Sequence, residues 1–151
     1  MENRYRDMQR EVHPDRFSTG TASEQRQSME MATRVNEAYR TLRSPLLRAR
    51  YMLELDGGDV AAETNTAMPR EFLMQQMGWR EALEEAAEAR NAKQLDALDA
   101  QVGAELDATF ADAELALDGR DGVTSTSLVR KLMFLDKLRE EIGAAQERLE
   151  N

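Results

Sequence analysis

The chain has 151 residues and a formal net charge of −9, with 41% hydrophobic, 32% charged and 5% aromatic residues. With 0 cysteines and 1 histidine, it has no means of forming a disulfide, a thiolate metal site or a multi-histidine zinc site, and its acid excess argues against nucleic acid, whose phosphates require a basic face. No apolar run approaches the ~20 residues that span a bilayer and no signal peptide is visible, so a cytoplasmic all-α protein without membrane contact, metal or cofactor is expected.

The first predicted element runs from Tyr5 to Val12. Tyr5, Met8 and Val12 recur at helical spacing, and Arg6 and Arg10, four residues apart, share a face. His13-Pro14-Asp15 ends this element. Proline cannot continue a helix and pushes His13 away from the α region, while Asp15 is suited to accept hydrogen bonds from nearby backbone N–H groups. After a Ser/Thr/Gly break, Met29 to Leu42 repeats Met31, Val35, Ala38 and Leu42 at helical spacing. The two segments therefore predict a helical hairpin with His-Pro-Asp in its loop. A lone pair of helices buries only part of two apolar stripes, so a furrow of exposed apolar side chains is expected along one side.

Asp56-Gly57-Gly58-Asp59 is a turn cluster. It divides the chain into a first domain over 1–56, a connector over 57–69 and a second domain over 70–151. The first 56 residues carry ten arginines against nine acids, and the remainder ten basic residues against twenty acids. Three amphipathic windows follow the connector. Phe72, Gln76, Trp79, Leu83 and Ala86 mark a helix over about 70–90. Leu95, Leu98, Val102, Leu106, Phe110, Ala113 and Leu117 mark one over about 92–118. Leu128, Leu132, Leu135, Leu138, Ile142, Ala145 and Leu149 mark one over about 124–149, with Thr124 to Ser127 offering N-cap oxygens. Short connections between long helices imply an antiparallel three-helix bundle.

Residues 72–79 carry more apolar side chains than one core stripe needs. With Phe72, Trp79 and Leu83 inward, Leu73, Met74 and Met77 fall at or beyond the edge, and Phe134 sits one residue from the seam of the last helix, about 100° round it. These four are either peripheral core or an adaptable contact surface. Glu81 and Glu85 lie nearby, one turn apart, and Gly78 sits in the middle of the helix. No residue set supports catalysis: there is no P-loop or Gly-x-Ser-x-Gly pattern, and pairs such as Glu84-Glu85 fall in a charged helical run.

The hairpin with His13-Pro14-Asp15 resembles the J domain of DnaJ-type co-chaperones. The run Pro45-Leu46-Leu47-Arg48-Ala49-Arg50-Tyr51-Met52-Leu53 is similar to the HscB type of J protein rather than to generic DnaJ. Phe72 to Met77 and Val129 to Leu138 resemble the start of the client-binding helix and the last helix of HscB. The resemblance implies a co-chaperone, not an enzyme. It would bind an iron–sulfur scaffold protein of the IscU type, deliver it to a DnaK/HscA-type chaperone and stimulate that chaperone's ATPase. It implies chaperone contacts from His13, Pro14 and Asp15 with Arg6, Arg10 and Met8, and client contacts from Leu73, Met74, Met77, Glu81, Glu85 and Phe134. The chain departs from the family pattern at its front, where the first J-domain helix is expected to be missing, and at Gly78, where the family often has an acid. Two alternatives stand beside this reading: a J-domain adaptor for a different client, and a structural helical protein whose His-Pro-Asp is accidental.

Overall fold

A computed structural model describes residues 1–60 and 68–150. Every regular element among the described residues is helical, as the periodicity requires. The helices are α1 (Glu2–Val12), α2 (Ala22–Arg43), α3 (Pro45–Leu55), α4 (Arg70–Glu88), α5 (Ala92–Asp118) and α6 (Gly122–Glu150), with a short 3-10 turn over Pro14–Phe17. Backbone contacts divide the chain into two compact units, Met1–Tyr51 and Met52–Asn151, with the division inside α3. Residues 61–67, the middle of the expected connector, lie outside the described residues.

In the first unit α1 and α2 pair antiparallel. Near the start of α1 the Tyr5 ring stacks on Tyr39, with centroids 3.9 Å apart and planes 10° from parallel. At its end the Ser28 hydroxyl donates to the Val12 carbonyl over 2.7 Å, satisfying a carbonyl that the helix terminus leaves open. Between them the Tyr5 hydroxyl donates to Asn36 Oδ1 over 2.9 Å, and Gln9 Nε2 donates to both of those oxygens. Helix α2 begins seven residues earlier than apolar spacing predicts, because its first two turns are polar. Its start is written instead as a capping box: the Glu24 N–H donates to Thr21 Oγ1 and the Thr21 N–H to Glu24 Oε2, over 3.3 and 2.7 Å. Ser44-Pro45 then separates α2 from α3. Ser44 is extended, as a residue before proline prefers, and its Oγ accepts from the Leu47 N–H at the head of α3.

No residue of α1 is buried, and in α2 only Ser28 and Val35 are. The furrow is open: Tyr5, Met8, Val35, Ala38 and Leu42 line an apolar groove, and Met8 and Leu42 remain about two-fifths exposed.

The second unit has the larger core. α5 and α6 share the most extensive contact, and α4 packs on both. Val129, Leu132, Leu135, Leu138 and Ile142 of α6 and Leu95 and Val102 of α5 are wholly buried. Polar bonds set the register of this antiparallel pair: Lys131 with Glu105, Arg139 with Asp99, and Gln146 with Asp96, progressively toward the start of α5. The Asp99 hydrogen bond and charge raise the Arg139 pKa and hold the guanidinium protonated. Two details differ from the expected pattern. Thr109, not Phe110, occupies the core position, its hydroxyl donating to the Glu105 carbonyl over 2.7 Å so that only its methyl faces the apolar neighbours. Helix α6 is capped by Asp121, whose Oδ1 accepts from the Thr124 N–H, rather than by the Thr124–Ser127 hydroxyls.

The contrast in buried apolar surface predicts unequal protection. Amide hydrogen exchange is expected to be fast across residues 2–42 and slow across 92–149, because local opening free energy follows local burial. Equal protection of the hairpin and the bundle would show that the hairpin has support its own packing does not supply.

Candidate functional site

The candidate residues gather at two places, one in each unit. The first is the turn after α1. His13 leaves the helical region with φ −60° and ψ 129°, the conformation that Pro14 demands of its predecessor. The Asp15 backbone N–H donates to His13 Nδ1 over 3.2 Å, and the Arg16 N–H donates to the His13 carbonyl over 3.0 Å. The imidazole therefore caps the 3-10 turn, a role expected of Asp15. The Asp15 carboxylate instead projects outward with 91% of its side chain exposed, its Oδ2 3.5 Å from His13 Nδ1. Because Nδ1 accepts, the neutral ring carries its proton on Nε2. More than half of the His13 side chain is exposed, so a donor and a carboxylate stand together on one tight turn.

Arg6 and Arg10 follow one face of α1. They pair with Glu2 and Asp7, over 3.1 and 3.5 Å, but all four side chains are largely exposed. Such pairs are worth about 0–1 kcal/mol, so a partner's carboxylates could replace them at little cost. Met8 lies two positions from each arginine, on the opposite side of the helix, where it lines the groove with Tyr5 and Val35. The structure thus brings His13, Pro14, Asp15, Arg6 and Arg10 to one region of the hairpin and turns Met8 to another. Arg16 was not singled out in the sequence; its Nη1 donates to the Arg10 carbonyl over 3.4 Å and ties the loop back to α1.

The second place is the outer face of α4. Phe72 and Trp79 are buried, and their positions leave Leu73, Met74 and Met77 pointing outward at 46%, 64% and 73% exposure. Glu81 and Glu85 continue the same face at intervals of four, and both are exposed. Phe134 of α6 lies under α4 rather than on this surface. Its ring stands perpendicular to Phe72 at 5.6 Å and is nearly parallel to Trp79 at 6.4 Å. The Arg80 guanidinium sits 5.6 Å above the Phe134 ring and is held by Glu141 over 2.9 Å. Phe134 is accordingly half-buried, joining the patch to the aromatic cluster beneath it. Arg80 was not anticipated from the sequence, since a charged residue on an exposed helix face carries no pattern signal. A Cβ at Gly78 would meet nothing within 4 Å, so this glycine is not required by packing.

Among the described residues, no group of three or more His, Cys, Asp or Glu side chains is placed to hold a metal ion. Nor is any described helix long and apolar enough to cross a membrane.

Comparison with known proteins adds a family to this geometry. Residues 68–143 match the family model described as the HSCB C-terminal oligomerisation domain. A co-chaperone protein HscB homolog of Burkholderia multivorans is 50% identical over 146 residues, covering 97% of this chain and 83% of that protein. The homolog from Paraburkholderia phymatum is 46% identical over 151 residues, covering 100% and 86%. The solved structure of chaperone HscB from Vibrio cholerae superposes with a TM-score of 0.88 at 33% identity, covering 98% of this chain and 88% of that one. Human co-chaperone protein HscB gives 0.87 at 30% identity, covering 95% and 71%.

The capping box beside the His-Pro-Asp turn makes a pH prediction. Hydrogen bonds from the Thr21 backbone and hydroxyl lower the Glu24 pKa. Its contribution is complete above the ordinary glutamate value of about 4.3 and is lost as the pH falls through the lower folded-state value. Protection factors at Thr21 to Gln25, measured by NMR from pH 6 downward and corrected for the intrinsic exchange rate, should fall only below that ordinary value, and Glu24→Gln should remove this pH dependence.

Proposed function

The chain belongs to the HscB family of co-chaperones, and on that premise we propose that it binds an iron–sulfur scaffold protein of the IscU type and delivers it to a DnaK/HscA-type chaperone, whose ATPase it stimulates. It acts in the cytoplasm and has no catalysis of its own. The observation that carries this reading is the coexistence of an exposed His-Pro-Asp turn beside two weakly paired arginines and an exposed apolar patch on a different compact unit. The turn supplies what a chaperone ATPase domain would recognise. His13 offers an imidazole donor, Asp15 an exposed carboxylate, and Pro14 fixes the backbone between them. Arg6 and Arg10 steer the encounter through charge. On α4, Leu73, Met74 and Met77 form the client surface, with Phe134 stiffening it from below and Glu81 and Glu85 selecting basic groups on the client. Met8 lies on the other side of α1 from the arginines, and its contact with the chaperone would run through the hairpin groove, apart from the turn.

Two activities resting on separate units should separate by mutation. His13→Gln is expected to abolish ATPase stimulation with client affinity unchanged. Leu73→Ala with Met77→Ala should weaken scaffold binding by about 1–2 kcal/mol, a roughly five- to thirtyfold loss, and leave the helix content of the bundle intact. Stimulation assays and calorimetric titrations of a folded His13→Gln protein decide this: loss of both activities together would sink the assignment of roles. Normal stimulation with no binding of the iron–sulfur scaffold would point instead to an adaptor for another client.

The arginines make a separate prediction. Charge reversal at Arg6 and Arg10 should lower the association rate with the chaperone, and raising the salt concentration should slow the unaltered chain toward the rate of that variant. Association that does not respond to salt would remove the steering role.

A further inference from the structure

Thioethers dominate the apolar surface that α4 presents. The chain has 9 methionines and 0 cysteines, so thioethers are its only oxidisable sulfur. Met74 and Met77 stand three residues apart on one face, and Met77, at 73%, is the most exposed large apolar side chain described. The residues that anchor this helix, Phe72 and Trp79, are 4% and 6% exposed and contain no sulfur. Phe134 is half-buried, with a guanidinium above its ring, which leaves Leu73 as the one neighbouring exposed residue of the patch without a thioether. The apolar character of this surface therefore depends on two atoms that a mild oxidant changes and that the core does not use.

We propose that Met74 and Met77 are a modification site at which sulfoxidation by a peroxide switches off the client surface; this rests on the client-binding reading given above. In the step, a sulfur lone pair attacks one peroxide oxygen, and the S–O bond forms as the O–O bond breaks. The departing hydroxide takes the proton left on the transferred oxygen and leaves as water. Sulfur is oxidised by two electrons and the peroxide is reduced by two. The product is a polar, chiral sulfoxide in place of a flexible apolar group. Because neither sulfur belongs to the core, the bundle stays folded and the change reverses. A thiol-dependent sulfoxide reductase removes the oxygen as water while two thiols become a disulfide. Leucine at these positions would supply apolar area without this response, and a buried methionine would respond by unfolding.

Met1 and Met29 are as exposed as Met74, at 65% and 62%, so they will also oxidise, and the test must isolate the pair. The full chain is treated with hydrogen peroxide, the sulfoxides are located by peptide mass mapping, and affinity for the purified iron–sulfur scaffold protein is measured with the circular dichroism of each sample. The expected result is a loss of roughly tenfold or more, the scale on which a lost interface anchor acts, with the helical spectrum unchanged. The two sulfoxide reductases that act on the opposite epimers, added together with dithiothreitol, should restore it. The Met74→Leu/Met77→Leu variant, compared with its own untreated form, should lose nothing on peroxide treatment. An oxidised chain that binds as the untreated one does, or a double variant that loses as much as the unaltered chain, overturns the proposal. An untreated chain that fails to bind the scaffold overturns the client reading and this inference with it.

Discussion

The apolar seam of α6 is the constraint on which the exposed patch of α4 depends. Val129, Leu132, Leu135, Leu138 and Ile142 are wholly buried, and α5 supplies most of what covers them. That contact fixes the rotation of α6 about its axis. Phe134, about 100° from Leu135, is then left at the edge of the seam, where it meets Phe72 and Trp79 of α4. The aromatic contact in turn fixes the rotation of α4. With Phe72 and Trp79 held inward, helix geometry leaves Leu73, Met74 and Met77 outward. The patch is a consequence of packing on its opposite side, which fixes the face of α4 that it occupies.

Polar interactions refine this arrangement but do not create it. The ion pairs between α5 and α6 lie at partly exposed positions, where each contributes little net stability. Their value is in register. A slip of α6 by one turn would break all three polar pairs and would also carry the Leu132–Leu135–Leu138 spacing out of step with α5. Arg80 belongs to the same class: its link to Glu141 joins α4 to α6 and lays a cation over Phe134. Lys131 does the same over Phe72 at 5.3 Å while paired with Glu105. The aromatic cluster is thus covered by two cations, each tied to a carboxylate on another helix.

Much of this was legible in the residues because amphipathic periodicity is a strong signal in long helices. The extent of α5 and the seam of α6 follow from spacing alone, and the chain's membership of its family follows from runs such as His13-Pro14-Asp15 and Pro45 to Leu53. What was missed has physical causes. The first turns of α2 are polar and solvated, so apolar spacing has nothing to register there; only Thr21 and Glu24 announce them. Hydrophobicity chose Phe110 over Thr109 for the core, yet helix phase placed residue 109 on the buried line and back-bonding removed the cost of its hydroxyl. Phe134 was ambiguous for a similar reason. A residue at the edge of a stripe is core or surface according to whether a third helix arrives, and that information lies in α4, sixty residues away. At the His-Pro-Asp turn the expected acceptor was the Asp15 carboxylate, whereas it is the His13 imidazole that accepts, from the Asp15 N–H.

An exposed patch of Leu73, Met74 and Met77 carries an obvious hazard, since apolar surface of this kind drives self-association. The surrounding charge opposes it. Glu71, Glu81, Glu84 and Glu85 share α4 with the patch and are exposed, and the chain as a whole carries a net charge of −9. Bringing two copies together through this face would place like charges against each other, a cost that grows as salt falls. A partner with basic groups around an apolar site meets no such barrier and gains from the same carboxylates. The acids that looked like ordinary solvated helix faces in the sequence therefore also oppose self-association through the patch. Gly78 marks the limit of that arrangement, because it leaves the patch itself uncharged at its centre, with the carboxylates on the turns to either side.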